Sequence, residues 1–193
     1  MKSWLIMVAC GASAVGAPSA LALALAQAPA QQQQQTDISK QIINAPTPET
    51  FNVYGLSTKP AVVKDKNVQG GRALRVPIAG GGDQPWSVGL ISTINQPVKK
   101  GDKLVVAVWA RAEKLPEGAS SAKISTIQVG LAKEPYTTVF KGEAEIGSEW
   151  KMVHVVGTAD RDYAVGDISV SLHLATAKQV LDIGPILLLD LSK

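Results

Sequence analysis

Cysteine is nearly missing from this chain. Of 193 residues one is cysteine, Cys10, and it lies in an apolar N-terminal stretch. Once that stretch is removed the chain has neither a disulfide nor a thiolate metal site, so it must rest on its core alone. A run of basic residues is missing too. The formal net charge is +3 and its basic residues are scattered, which argues against nucleic acid as a partner. Beyond the N-terminal stretch no segment repeats its apolar residues with helical period. There is no G-x-S-x-G, no H-E-x-x-H and no well-spaced pair of carboxylates that would mark a hydrolase. Gly80-Gly81-Gly82-Asp83 is a loop and not a phosphate cradle, because Pro85 is close and no helix start follows.

What is present begins with a leader. Lys2 opens it, residues 4–15 are apolar and rich in small side chains, and Pro18 interrupts them. Ala24-Leu25-Ala26 offers an A-x-A cleavage site, with Ala28-Pro29-Ala30 as a later one. Residues 1–26, or as far as 30, therefore read as a secretory signal peptide, and the chain as secreted or periplasmic in a bacterium. Gly and Pro within the apolar span argue against a stable membrane anchor. Met7-Val8-Ala9-Cys10-Gly11 is a loose lipoprotein box with Met where Leu is usual. The glutamine tract and the Ala45-Pro46-Thr47-Pro48 stretch make residues 31–47 a solvated linker. Residues 48–193 are then one domain, and a 46% hydrophobic composition is enough to give it a packed core.

In that domain short apolar runs alternate with turn residues. Strands are expected at residues 51–56, 61–63, 72–78, 86–94, 103–112, 124–131, 136–140 (short, at an edge) and 150–157. The last two fall in residues 168–191. There Ile168, Val170, Leu172 and Leu174 alternate with Ser169, Ser171 and His173, the period of a half-buried strand. A nearly continuous apolar run follows, the pattern of a strand covered on both sides, with Gly184-Pro185 marking a bulge or bend. The two are expected to form a core hairpin. Many short strands with turn signals every ten or so residues predict an all-β sandwich or jelly roll. An immunoglobulin-like sandwich is the competitor, without its usual Cys–Trp–Cys core.

Parity along the strands sorts candidate ligand contacts. A sugar needs an aromatic ring for its C–H face and planar polar groups for its hydroxyls. Trp109 and Arg111 share a side with Val105 and Ala107; Gln128 lies opposite Ile127 and Val129; His173 shares its side with Ser171. If these faces coincide, Trp109, Arg111, Gln128 and His173 form one patch. Trp109 in its Val-rich strand also reads as a core residue, and Arg111 as a partner of Glu113. Trp86, after Pro85, reads as a rim contact or as a wedge closing the sandwich end. Tyr136, after Pro135, reads as an exposed contact.

Several phrases also occur in a telling order: V-Q-G-G-R-A-L-R-V at 68–76, Q-P-W at 84–86, G-D-K at 101–103 leading into W-A-R-A at 109–112, E-W-K at 149–151, and L-H-L at 172–174 with Lys178-Gln179. This resembles the galactose-binding-like jelly-roll carbohydrate-binding modules of xylanases and cellulases (families 4, 9 and 22). The resemblance implies a concave sheet face holding a β-glycan of the xylan or glucan type, without catalysis. It favours Gln179 as a polar contact, and it implies a structural calcium for which Glu49 and Asp190 would be the carboxylates. The usual Asn-Gly-Asp-Phe-Glu opening is absent, and Ser87 follows Trp86 where a group such as Asp is expected. Two other readings stand beside it. One is a jelly-roll polysaccharide lyase acting on a polyuronate through Gln128, His173, Tyr136 and Arg111. The other is an envelope or adhesion module that binds protein.

Overall fold

A computed structural model describes residues 38–81 and 83–193. The leader, its cleavage sites and Cys10 lie outside the described residues. Ten strands form two five-stranded antiparallel sheets: β1 (Asn52–Tyr54), β2 (Ala61–Lys64), β3 (Arg72–Ile78), β4 (Gly89–Thr93), β5 (Lys103–Lys114), β6 (Ala122–Leu131), β7 (Thr138–Ile146), β8 (Lys151–Thr158), β9 (Ile168–His173) and β10 (Gln179–Asp190). The first sheet runs β1-β4-β9-β6-β7 and the second β2-β3-β10-β5-β8. The fold is the all-β sandwich that the strand pattern predicts. Among the described residues no helix is long and apolar enough to cross a membrane.

Alternation builds the core. Leu90, Ile127, Val129, Val170 and Leu172 point inward from the first sheet, against Leu74, Val76, Leu104, Val106, Val108, Ile183 and Leu188 of the second, and all are buried. Most connections carry the chain from one sheet to the other, including the short ones after β7 and β9. From β7 to β8 it crosses the sandwich edge, and the Phe140 ring lies on Gly157, where any side chain would collide with it. From β9 to β10 it crosses again. The expected closing hairpin is therefore not formed: β9 pairs with β4 and β6, β10 with β3 and β5. Period-2 alternation says which side of a strand is apolar, and it is silent on which neighbour the strand pairs with. The bulge at Gly184-Pro185 is present as a register shift between Ile183 and Ile186. β10 is buried on both sides because Val68 and the Cβ of Trp109 close over Gly184 on its outer face.

Two local expectations are revised. β7 has nine residues and ends six beyond its expected end, because Lys141, Glu143 and Glu145 keep an edge strand polar on its outer side. The stretch expected as linker joins the sandwich in its second half. Ile43 is fully buried, Ile42 bridges to Leu189, and Asn44 bridges to Ile94. Asn44 ties the two sheets together: its amide donates to Ser92 Oγ and to the Ile186 carbonyl, both at 2.8 Å, and its Oδ1 accepts from the Leu188 N–H at 2.8 Å. Removing that amide leaves the Ile186 carbonyl and the Leu188 N–H without this partner, while Ser92 Oγ keeps its hydrogen bond to the Ala45 carbonyl at 3.2 Å. Asn44→Ala is expected to cost about 3 kcal/mol in urea unfolding; a loss below about 0.5 kcal/mol would show that water replaces the amide.

Candidate functional site

The outer face of the first sheet carries the polar half of each alternating strand. The register sets its side chains in rows across the strands. One row is Tyr54, Gly89, His173 and Thr126; the next is Asn52, Ile91, Ser171, Gln128 and Lys141; a third is Thr93, Ser169, Gly130 and Thr138. On the central strand the outward residues are Ser169, Ser171 and His173, flanked by Gly130, Gln128 and Thr126 on one side and Thr93, Ile91 and Gly89 on the other. Tyr54 lies across Gly89, whose missing Cβ is the space its ring and hydroxyl occupy. The Tyr54 hydroxyl is pushed to a higher pKa by burial and so remains a donor.

Two exposed aromatics stand at opposite ends of the face. Trp86 is 53% exposed and meets the His173 ring edge-on, with centroids 6.1 Å apart and planes at 60°. It lies not on a strand, as expected, but on a 3-10 turn, Pro85–Ser87, closed by the Ser87 N–H on the Gln84 carbonyl at 2.9 Å. Proline at the first position sets that turn. Its carbonyl accepts from Ala175 N–H at 3.1 Å, which anchors it beyond the end of β9. Gly55 sits at φ +78° against the Ser87 carbonyl, where any side chain would displace the turn. At the other end the β6–β7 connection folds over the face, with the Thr137 carbonyl 3.0 Å from where a Cβ on Gly130 would lie. Tyr136 sits on this connection at φ +52° and is 59% exposed. His173 and Ser169, which mark the two ends, are four residues apart, about 13 Å along the strand.

Gln128 is oriented by Thr138, whose Oγ1 donates to Gln128 Oε1 at 3.0 Å. That leaves the two amide N–H groups to face outward. The His173 pKa is lowered, first by burial and then by the charge of Lys141, so its ring is neutral at neutral pH. A histidine whose folded pKa is depressed holds fewer protons than in the unfolded chain. Its contribution is intact above the unfolded value, near 6.5, and is lost as pH falls through the folded pKa. A melting-temperature series is therefore expected to decline below pH 6.5 more steeply for the parent than for His173→Gln; parallel curves would show that the ring is freely hydrated.

Gln128 and His173 thus belong to one face, with Trp86 against His173 at one end and the connection that carries Tyr136 at the other. Trp109 and Arg111 do not join them, and the four-residue patch expected from parity is not formed. Their strand, β5, is in the second sheet, and they occupy its outer side, so each parity assignment holds but the faces are opposite ones. Trp109 donates from Nε1 to Gln69 Oε1 at 3.1 Å. Arg111 reaches Asp182 Oδ2 from Nε at 3.0 Å and from Nη2 at 2.9 Å, pairs with Glu113 at 3.1 Å and with Asp65 at 3.3 Å, and lies 5.2 Å over the Trp150 ring. The same placement removes Arg111 from the set of four drawn for a lyase. Gln179 points into the sandwich, where its amide donates to the Leu174 carbonyl at 3.2 Å, Thr176 Oγ1 at 3.0 Å and the Lys123 carbonyl at 3.3 Å. It is buried and holds the β9–β10 crossover, out of reach of a ligand on either face.

Glu49 and Asp190 do not fit a calcium cage. Glu49 is exposed and paired with Arg72; its carboxyl is held low first by a backbone hydrogen bond and then by that arginine. Asp190 is fully buried, accepts the Ser192 N–H at 3.0 Å, and has the Lys193 ammonium 3.3 Å from Oδ2. That ammonium, which also donates to the Pro97 carbonyl at 3.1 Å, supplies the positive charge that the carboxylate requires. No group of three or more His, Cys, Asp or Glu suited to a metal occurs among the described residues.

Parity alone overlooked Asn52, Tyr54 and Lys141. The first two lie in an apolar run without alternation, and Lys141 lies beyond the end expected for β7.

Two antiparallel sheets of this order make a β-sandwich jelly roll, a fold this chain shares with carbohydrate-binding modules. The particular structures it is similar to include a family 4 carbohydrate-binding module, at a TM-score of 0.55 and 17% identity over 74% of this chain and 96% of that one. The N-terminal cellulose-binding domain of Cellulomonas fimi β-1,4-glucanase C gives 0.53 and 17% over 75% and 91%. The family 22 and glycoside hydrolase modules of Clostridium thermocellum endo-1,4-β-xylanase 10B, complexed with xylohexaose, give 0.55 and 13% over 77% of this chain and 28% of that one. No protein-family model and no curated protein matches the sequence.

Proposed function

We propose that this is a secreted, non-catalytic glycan-binding protein whose site is the outer face of the β1-β4-β9-β6-β7 sheet. The observation that carries the reading is the exposed Trp86 ring, held against His173 at one end of a polar face that carries Ser171, Gln128, Thr126 and Asn52. Such a ring supplies the flat apolar surface for a pyranose, and the amides and hydroxyls supply partners for its hydroxyl groups. Tyr136 at the far end offers a second platform. The structures this chain is similar to include a cellulose-binding domain and a xylanase module pair holding xylohexaose, which supports a β-glycan as the ligand. The leader read from residues 1–26 supports export to where such polymers occur. Binding here makes and breaks no covalent bond.

Affinity electrophoresis of the domain through gels containing xylan, mixed-linkage β-glucan, soluble cellulose derivatives or alginate tests the reading. Retardation by at least one polymer is expected; free migration through all of them would sink it.

A further inference from the structure

The charges on the proposed binding face are unevenly answered. Lys141 stands at the β7 end of the middle row, directly across from Gln128. Among the described residues it has no ion pair and no hydrogen bond. Glu143, two residues along on the same side, is committed to Lys123 at 2.8 Å, and Glu145 accepts from Ser121 Oγ at 2.7 Å. The other positions of the three rows are Asn, Tyr, Ile, Ser, Thr, Gly, Gln and His, so no carboxylate there competes for Lys141. The outer face of the second sheet is a contrast, since Arg75 and Arg111 are both locked onto Asp182 and reach Glu113 as well.

The groups beside Lys141 are donors. Thr138 holds the Gln128 oxygen, so its amide nitrogen faces the ligand side, and Ser171 lies next in the same row. An ammonium, an amide NH2 and a hydroxyl in line form a set that accepts a planar carboxylate with charge-assisted hydrogen bonds. The ammonium already acts electrostatically across the face, because its charge is felt at His173. A neutral sugar leaves that positive charge unanswered.

We infer that the glycan recognised by this face carries carboxylate groups, and that Lys141 and Gln128 together receive one of them. The inference rests on the glycan-binding reading above. Two sources share the chemistry: a glucuronate substituent on a β-linked neutral backbone, and the backbone of a polyuronate.

The test is isothermal titration of the intact domain with four oligosaccharide probes of matched length: neutral xylan, neutral β-glucan, glucuronate-substituted xylan and polyuronate. One of the two acidic probes is expected to bind at least about tenfold more tightly than the neutral ones, the gain typical of one charge-assisted contact. The acidic probe that prevails identifies the source. The advantage is expected to shrink at high salt. Lys141→Met, at an exposed edge position, is expected to fold normally and to bind neutral and acidic probes alike; Lys141→Arg is expected to keep the preference. Equal affinity of the parent for neutral and acidic probes would overturn the inference while leaving glycan binding intact. So would an acidic preference that survives Lys141→Met. No binding to any probe would overturn both.

Discussion

Asp182→Ala is expected to lower unfolding stability by about 3 kcal/mol, the lower end of the cost of breaking a buried ion pair. The carboxylate is fully buried on the outer side of β10. It takes Arg75 in a two-point contact, Nε to Oδ1 at 2.8 Å and Nη2 to Oδ2 at 2.9 Å, and Arg111 on Oδ2 from the opposite strand. Its register partners on the two neighbouring strands are these same residues, Arg75 on β3 and Arg111 on β5. One acid therefore holds three adjacent strands of the second sheet. Removing it takes the buried counter-ion from two neighbouring guanidinium groups, which are left with the more exposed Glu113 between them. Both side chains keep some contact with water, 34% and 23% exposed, which is why the estimate sits at the lower end. A urea midpoint lower by about 1–2 M is the measurable form. Replacing the trio by apolar residues (Asp182→Leu with Arg75→Met and Arg111→Met) should recover only part of the loss, because Glu113 and Asp65 then lose their arginine partners. An unchanged midpoint in Asp182→Ala would mean that the guanidinium groups turn out to solvent freely.

Trp86→Ala is expected to leave the fold intact and to weaken glycan binding about 30-fold, since covering an aromatic ring of this size contributes about 2 kcal/mol. The ring is more than half exposed. What it touches is His173, and its turn is held by backbone hydrogen bonds that alanine would retain. Trp109→Ala is the natural control, with the opposite outcome. Its indole N–H is held by Gln69 on the outer side of the second sheet, so its loss should reduce stability and leave affinity unchanged. Titration against the best-binding polysaccharide, with a thermal melt of each variant, separates the two. Trp86→Ala with parental affinity would remove the ring from the site.

These two tryptophans show what could be read in the one-dimensional pattern. Period-2 alternation placed Gln128, Ser171 and His173 opposite the core, and Arg111 and Trp109 on a common side; the structure agrees with each statement. The error lay in joining them. Outer faces of two sheets have the same apolar-in, polar-out signature, so even consecutive strands such as β5 and β6 cannot be assigned to one sheet by parity. The supposed closing hairpin of β9 and β10 failed for the same reason. Gln179 was misplaced for a related one: a polar residue at a strand start, after a turn, reads as exposed, whereas here it turns inward to satisfy carbonyls at the crossover.

The sequence by itself determined that the domain is all-β, where nine of its ten strands begin within a few residues, that β10 is covered on both sides and broken at Gly184-Pro185, and which residue types line each strand face. Local forces decide these: backbone preference, the two-residue period and the turn chemistry of Gly and Pro. Tertiary structure alone decided which strands are neighbours, that Asn44 joins the sheets, that Lys193 answers Asp190, and that Trp86 meets His173 while Trp109 is on the other side of the molecule. Those facts depend on contacts between residues far apart in the chain. Such contacts form only when two apolar faces pack together, and packing is not written in any single strand.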